Sequence, residues 1–227
     1  MHYTGLLVEN LRYFCEGHMN RSEKSKLRKK TILEAAEKLF VQKGYEATGM
    51  EEICICSSLS RRTVYSYFDS KQEILYAIMS EHLSSLEKEF ETIIMDNDDF
   101  MIRWKQIFYA KLSFDRNCPM DVKLIQSTRS KDVQKNMDSE ALHEIVVIGQ
   151  KIEEMLVSVM EQGVVEGIVR DDIHPVFAVS VLTGGFDSLF QLVRSKGSYL
   201  KERCGMDEER MLEAGFDQLM ASILKVK

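Results

Sequence analysis

Apolar residues recur at intervals of three and four along almost the whole chain, and only two prolines interrupt its 227 residues. This spacing is typical of amphipathic helices, whereas half-buried strands alternate with a period of two. No segment shows sustained alternation of that kind. Pro119 and Pro175 are both compatible with helix starts, because proline fits the first turn of a helix. The sequence therefore predicts an all-α protein without internal repeats.

Four helices are predicted in the N-terminal part, over residues 22–43, 50–57, 61–68 and about 71–95. Each is bounded by a residue that caps helix ends well. The capping signals are Gly44 after the first helix, Thr48 with Glu51 before the second, Ser60 before the third, and Ser70 with Glu73 before the fourth. The second and third helices are short and separated by a turn of three residues.

Longer helices are predicted in the remainder of the chain. They cover residues 100–114, a short piece after Pro119, then 139–162, 175–195 and about 207–225. Gly197 and Gly205 are predicted to bracket a polar loop. Helix 175–195 is apolar on several sides, so we expect it to be buried against more than one neighbour.

Charge is unevenly distributed along a chain whose formal net charge is −6. Residues 21–72 contain 11 Lys and Arg against 7 Asp and Glu, whereas residues 73–227 contain 18 against 27. A basic front and an acidic remainder indicate two modules with different partners.

Several protein classes are disfavoured by the same sequence. No apolar run approaches the roughly 18 residues needed to cross a bilayer, and the first residues lack the pattern of a signal peptide. The five cysteines follow neither a disulfide framework nor zinc-ligand spacing. We therefore predict a cytoplasmic protein with reduced thiols, no metal site, no cofactor and no membrane contact.

The segment LSRRTVYSYFDSK, residues 59–71, concentrates basic and aromatic groups on one short helix. Val64 and Phe68 lie four residues apart and are predicted to face inward. The side chains predicted to point outward together are Arg61, Arg62, Tyr65 and Ser66. Guanidinium groups reach guanine edges or phosphates, and tyrosine hydroxyls donate to phosphate oxygens. This arrangement is typical of a helix-turn-helix that reads DNA, with a merely solvated helix face as the alternative.

Two segments, TILEAAEKLFVQKGYEATGMEEI and LSRRTVYSYFDSKQEILYAI, resemble the tetracycline-repressor family of transcription regulators. The resemblance covers about residues 25–85 and keeps Gly44, Tyr45, Thr48 and Ile53 in register with a Tyr-x-Tyr-Phe-x-x-Lys string. It implies a cytoplasmic homodimer with an N-terminal three-helix DNA-binding bundle and a C-terminal helical body that dimerises and binds a ligand.

On this basis the chain is predicted to have three parts. Residues 1–20 are an N-terminal extension, disordered or not native, since Met19 offers a second start. Residues 21–70 are the helix-turn-helix DNA-binding domain, and residues 71–227 are the body. The residues that the resemblance implies at the DNA are Thr48, Arg61, Arg62, Thr63, Tyr65, Ser66, Tyr67 and Lys71.

Three positions depart from the family pattern. Ser58 stands where the turn usually carries glycine, Gly49 stands where serine is frequent, and Ser66 stands where tyrosine is common. Ser58 must then adopt a left-handed conformation at modest cost or alter the turn.

The body contains bulky side chains that could line a ligand cavity, although a plain hydrophobic core is the alternative for each. These are Trp104, Phe108, Tyr109, Phe114, Met155, Phe177 and Phe186. The resemblance also implies dimerisation through the last two long helices, with an intramolecular core as the alternative. Gly184 and Gly185 would permit close helix approach there.

The function expected from the resemblance is that of a ligand-responsive regulator, most often a repressor, released from a palindromic operator by a small molecule. Two reading helices would be held roughly 34 to 36 Å apart, and a ligand would change that distance by tilting the helical segment 75–95. The alternative is a helical small-molecule-binding protein or enzyme with a vestigial DNA-binding front. We expect no enzymatic activity, because the sequence shows no nucleophile–base pair and no phosphate-binding loop.

Overall fold

The structure is a computed structural model that describes residues 20–118 and 140–226. These residues form eight α-helices, which confirms the all-α prediction. Their one extended pairing is a single bridge between Val169 and Leu224. Residues 1–19 of the predicted extension, and the short helix expected after Pro119, lie outside the described residues.

The helices are α1 Arg21–Lys43, α2 Met50–Ser57, α3 Arg61–Tyr65, α4 Lys71–Asp96, α5 Phe100–Asn117, α6 Glu140–Val165, α7 Pro175–Cys204 and α8 Glu208–Ala221. The chain divides into two compact units, the first ending at Met79 and the second beginning at Ser80. The division falls inside α4. The second unit is called the body below.

Helix α1 begins at a reciprocal cap. The Asn20 side chain accepts a hydrogen bond from the Glu23 amide at 2.9 Å, and the Glu23 carboxylate accepts one from the Asn20 amide at 2.8 Å. The apolar face of the helix, which includes Ile32, Leu33 and Ala36, is buried. Phe40 packs edge-on against Tyr45 with ring centroids 5.2 Å apart. The Gly44 amide then donates to the Phe40 carbonyl and ends the helix.

Helix α2 begins one residue later than a threonine cap would place it. Gly49 occupies the N-cap, and the Glu52 carboxylate accepts a hydrogen bond from its amide at 2.9 Å. Thr48 is 2% exposed, and its hydroxyl donates to the Gly44 carbonyl at 2.8 Å. The predicted capping box of Thr48 with Glu51 is therefore wrong, because the carboxylate of the next glutamate takes that role.

The ends of several helices also differ from the prediction. Helix α3 ends at Tyr65 rather than residue 68, since the chain turns at once toward α4. Helix α7 continues through the expected loop at Gly197 as far as Cys204. Helix α8 ends at Ala221 rather than near residue 225, because the following residues pair with the segment after α6.

The core of the body is built around aromatic rings. The ring of Phe108 lies 5.0 Å from that of Phe186 and 5.1 Å from those of Phe190 and Phe216, measured between centroids. Such tilted and edge-on pairs add to the stabilisation that burial itself supplies. These rings come from α5, α7 and α8, so one cluster ties three helices together.

Helices α7 and α8 cross closely at two glycines. A Cβ atom on Gly185 would lie 2.6 Å from a methyl carbon of Leu219, and one on Gly215 would lie 2.5 Å from Leu189. Each leucine therefore occupies the space that the missing side chain leaves on the opposite helix. This close approach within the chain involves Gly185 and not Gly184, where an added Cβ atom would meet no neighbouring atom of the described structure within 4 Å. A close approach of these glycines at a dimer interface stays a prediction.

Helix α7 is also the helix among the described residues whose length and composition would suit a membrane span. Of its most apolar stretch, 33% is buried within the chain. Leu182, Phe186 and Phe190 on its inner face are buried in the core of the body. Packing within the chain therefore accounts for the apolar character of this inner face.

Candidate nucleic-acid interface

Helix α3 has only five residues and depends on its surroundings for stability. The Ser60 hydroxyl accepts a hydrogen bond from the Thr63 amide at 3.1 Å, which confirms the predicted N-cap. Val64 is fully buried and Phe68 is 6% exposed, as predicted for the inward face. A cap and two apolar anchors thus fix the direction in which the opposite face of α3 points.

The turn before α3 contains a serine in an unusual backbone conformation. Ser58 has φ 56° and ψ 28°, in the left-handed region, and it is the one non-glycine residue with positive φ among those described. Two outcomes were predicted for Ser58, a left-handed conformation or an altered turn, and the left-handed conformation is confirmed. The turn therefore keeps the short geometry that glycine usually provides, at a modest conformational cost.

Three of the side chains predicted at the DNA are exposed, namely Arg61, Arg62 and Ser66. Arg61 Nη1 donates to Glu51 Oε1 at 3.0 Å, and the guanidinium lies 5.4 Å from the Tyr65 ring centroid. Both members of this ion pair are more than two-thirds exposed, so the pair is weak and can open. Within the described residues, the Arg62 guanidinium has no hydrogen-bond or ion-pair partner.

Three further predicted side chains, Thr63, Tyr65 and Tyr67, are partly buried. The Thr63 hydroxyl lies 2.8 Å from that of Ser60, and the Tyr67 hydroxyl donates to Ser25 Oγ at 3.2 Å. The bond from Tyr67 to Ser25 places the residues that follow α3 beside the early turns of α1. Both contacts are at the surface, where water or a phosphate can replace them.

Lys71 occupies a different position from the one expected of a phosphate ligand. Its ammonium donates to the carbonyls of Tyr45, Glu46 and Thr48 at 2.9, 3.2 and 3.1 Å. It also lies 4.4 Å from the centroid of the Tyr45 ring. An ammonium has three donors, and here all three are used. Lys71 therefore ties the start of α4 to the loop between α1 and α2.

Thr48 is likewise removed from the open surface, because its hydroxyl is bonded to a backbone carbonyl and its side chain is buried. Nothing in the sequence signals the contacts of Lys71, since its partners lie 23 to 26 residues earlier in the chain. The structure thus brings the exposed Arg61, Arg62 and Ser66 together with the partly buried Tyr65 on one face. It places Thr48 and Lys71 in the support of that face.

Two side chains among the residues that support this face, Glu52 and Tyr45, have shifted pKa values. A hydrogen bond from Lys43 holds the pKa of Glu52 below its usual value, and the bond from the Gly49 amide acts in the same direction. Burial raises the pKa of the Tyr45 hydroxyl. The lowered pKa keeps Glu52 charged, as the cap of α2 requires.

The seven side chains proposed for a ligand cavity do not surround one space in the described structure. Trp104, Phe108 and Phe186 are fully buried and pack against other rings. Tyr109 is 37% exposed and Phe177 is 65% exposed. The remaining two, Phe114 and Met155, are partly buried against the core. Trp104, Phe108 and Phe186 therefore belong to a plain hydrophobic core, which was the alternative to a ligand cavity. Phe177 lies at the surface.

A cleft of about 650 Å³ opens instead where α5, the second half of α7 and the start of α8 meet. Its lining combines apolar residues of the core with charged residues. The lining residues are Leu112, Asp115, Arg116, Phe190, Val193, Arg194, Gly197, Ser198, Lys201, Asp207, Glu208 and Leu212. Arg194 pairs with the buried carboxylate of Asp115, and Arg116 pairs with Glu208.

Known proteins resemble this chain in both sequence and structure. Residues 32–78 match the family described as bacterial regulatory proteins, tetR family. The uncharacterized HTH-type transcriptional regulator YhgD of Bacillus subtilis (strain 168) is 26% identical over 148 residues, which are 65% of this chain and 73% of that protein.

Two solved structures show the same fold over most of the chain. PfmR, a TetR family transcriptional regulator from Thermus thermophilus, has a TM-score of 0.61 and 25% identity, over 84% of this chain and 97% of that one. The transcriptional regulator FadR from Bacillus subtilis, solved in complex with stearoyl-CoA, has a TM-score of 0.63 and 15% identity, over 85% of this chain and 98% of that one.

Proposed function

The chain belongs to the TetR family of transcriptional regulators, and we propose that it is a repressor that binds a palindromic DNA operator as a homodimer. Residues 21–70 form the DNA-binding domain in this proposal, and residues 71–227 bind a small-molecule effector that releases the operator. A cytoplasmic location follows from contact with the chromosome. The matching relatives are regulators, which sets aside the enzyme alternative.

The observation that carries the proposal is the exposed arginine pair at the start of α3. Arg61 and Arg62 extend from a helix whose other side is anchored by the fully buried Val64. In a helix-turn-helix, residues near the N-terminus of the reading helix contact base edges in the major groove. Arginine is the side chain that most often makes a two-point contact with guanine. The pair therefore supplies both sequence reading and phosphate affinity.

An exposed apolar face on α7 supports association of two copies. Phe177, Val181, Leu192 and Tyr199 are 65%, 40%, 42% and 59% exposed, respectively. Their spacing places them on one side of the helix. A twofold pairing of α7, with α8 alongside, would bury this face against its own copy. The dimer would then present the arginine pair twice, as a palindromic site requires.

The body offers a place for an effector in the cleft between α5, α7 and α8. Its volume of about 650 Å³ lies within the range of roughly 300 to 1,000 Å³ that small-molecule sites occupy. The paired charges of Arg194 and Asp115 beside an apolar floor suit a molecule with both polar and apolar parts. Because α4 is continuous from Lys71 to Asp96, a ligand-induced change in the body can alter the spacing of the two α3 helices. We expect operator and effector to oppose each other by about 1–3 kcal/mol.

The direct test is a DNA-binding measurement on the full chain. Fluorescence anisotropy would compare a duplex from the region flanking the gene with a random duplex of equal length. The Arg62→Ala variant removes one contact from each subunit of the dimer, and each arginine contact with a base contributes about 1–3 kcal/mol. Affinity for the specific duplex should therefore fall by about 30-fold or more. Lys38→Ala removes an exposed charge from the far end of α1 and should change little.

Two results would refute the proposal. The first is equal affinity of the wild-type chain for the specific and the random duplex in every flanking region tested. The second is unchanged binding by both Arg61→Ala and Arg62→Ala, with the fold intact by circular dichroism. That outcome would mean that α3 is not the reading helix.

A further inference from the structure

The first turns of α1 carry a dense set of positive charges that have few partners within the described structure. The residues are Arg21, Lys24, Lys26, Arg28, Lys29 and Lys30, and all but Lys24 are exposed. Lys30 is the one member of the set with an ion pair among the described residues, to Glu34 at 3.8 Å. Six cations in ten residues therefore have almost no internal partners.

This placement opposes the stability of the helix. The N-terminus of a helix carries partial positive charge, so Arg21 and Lys24 are unfavourable in its first turn. Glu23 is the acidic residue of the first turn, and it is used in the cap with Asn20. The charges in α1 also repel one another. An external anionic partner would remove both costs at once.

The position of these charges points to the partner. Ser25 accepts a hydrogen bond from the Tyr67 hydroxyl at 3.2 Å, so this part of α1 lies beside the residues that follow α3. Lys29 confirms the neighbourhood, because its ammonium lies 5.9 Å from the centroid of the Phe68 ring. Arg21 and Arg28 lie four residues before and three residues after Ser25, so they share its face of the helix.

We propose that Arg21, Arg28 and Lys29 form a second DNA-binding surface that holds the phosphate backbone beside the groove that α3 enters. The proposal rests on the function proposed above. It assigns the contacts of α1 to affinity and register, whereas Arg61 and Arg62 supply sequence selectivity. Phosphate contacts carry no sequence information by themselves, so the two surfaces have separable effects.

The test compares two double variants that remove equal charge from the same helix. Arg21→Gln with Arg28→Gln alters the proposed surface, and Lys30→Gln with Lys38→Gln is the control. Operator affinity is measured by anisotropy at several salt concentrations. Each phosphate contact contributes about 0.9 to the slope of log affinity against log salt. Four lost contacts per dimer should therefore lower the slope of the first variant by roughly 3.6, with the ratio of operator to random-duplex affinity unchanged.

The control variant should keep the wild-type slope within about one. A third variant, Arg21→Lys with Arg28→Lys, keeps the charge and should also keep the slope, whereas a structural role of the guanidinium groups would not be rescued. Equal slopes for the two Gln variants, or a Lys variant that loses as much as the Gln variant, would overturn the inference. Wild-type protein without preference for any operator would instead refute the proposed function.

Discussion

Different kinds of contact stabilise the first unit and the body, each taken by itself. In the first unit, short helices are fixed at their ends by directed polar bonds, such as the Ser60 cap and the three carbonyl bonds of Lys71. In the body, long helices interlock through rings and through leucines that fill glycine notches, as Leu219 does at Gly185. The comparison shows that a few bonds suffice to direct a charged surface, whereas the body depends on filled volume.

The largest effect should come from the centre of the body. Replacing Phe108 with Ala removes a ring that contacts four others and leaves a cavity, so the free energy of unfolding should fall by about 3–5 kcal/mol. Urea unfolding followed by circular dichroism measures this loss.

The matched control is Phe177→Ala, at a phenylalanine that is 65% exposed. It should leave the packing of the body intact and weaken self-association in sedimentation velocity, since α7 is the proposed dimer helix. Equal destabilisation by the two alanine variants, independent of protein concentration, would contradict the distinction between core and surface rings.

The glycine notch gives the next largest effect. Gly185→Ala places a methyl group where Leu219 lies, and overpacking of this kind costs about 1–3 kcal/mol. Gly149→Ala, in the exposed part of α6 with no atom within 4 Å of the added carbon, should stabilise the protein by up to about 1 kcal/mol. Thermal denaturation of both variants checks the opposite signs. A neutral Gly185→Ala would show that the α7–α8 crossing can relax.

Substitution of Lys71 tests whether directed polar bonds stabilise the first unit. Lys71→Met leaves three carbonyls without their donor, so the first unit should lose about 1–3 kcal/mol of stability. Operator affinity should fall while its salt slope stays unchanged. Lys88→Met, at an exposed lysine of the same helix, is the control. A slope reduced by about one for each phosphate contact would show instead that Lys71 neutralises DNA, as the family resemblance implies.

Ser58 offers a smaller gain. Ser58→Gly relieves a left-handed serine and should stabilise the first unit by about 0.5–1 kcal/mol. The same change at Ser66, where φ is −78°, should be neutral or unfavourable. Differential scanning calorimetry can resolve the two shifts. Loss of stability in Ser58→Gly would mean that the serine side chain contributes more to the turn than its backbone costs.

The smallest effect is pH-dependent and concerns Glu52. Its pKa is lowered in the folded protein by Lys43 and the Gly49 amide, so its contribution is present above the unfolded pKa of about 4.3 and is lost as the pH falls below it. Glu52→Gln should therefore flatten the acid side of the stability profile slightly, whereas Glu89→Gln should not. An unchanged profile in Glu52→Gln would show that the cap works without charge.

Local patterns in the sequence were enough for most of the first unit. The Ser60 cap, the buried Val64 and Phe68, and the left-handed Ser58 all follow from residues close in sequence. The role of Lys71 could not be found this way, because its acceptors are backbone carbonyls more than 20 residues away. The predicted cap of Thr48 with Glu51 was wrong for a related reason. Glu51 and Glu52 are adjacent, so the sequence allows a capping box with either glutamate, and tertiary packing selects Glu52.

The body shows the limit of periodicity more clearly. An apolar pattern indicates that a side chain has a buried partner, but it does not identify the partner. Trp104 and Phe186 therefore proved to be neighbours in a packed core, while Phe177 on the same helix as Phe186 lies at the surface. The cleft combines residues of α5 with residues of α7 and α8 that lie far later in the chain, and no local signal predicts that combination.

Hydroxyl-radical footprinting of the full chain on its operator tests most directly whether two copies of α3 enter successive major grooves. Two protected segments are expected, with centres about 10 to 10.5 base pairs apart on one side of the duplex, and both should disappear together in Arg62→Ala. A single protected segment, or protection that survives the loss of both Arg61 and Arg62, would contradict the paired reading of DNA by this surface.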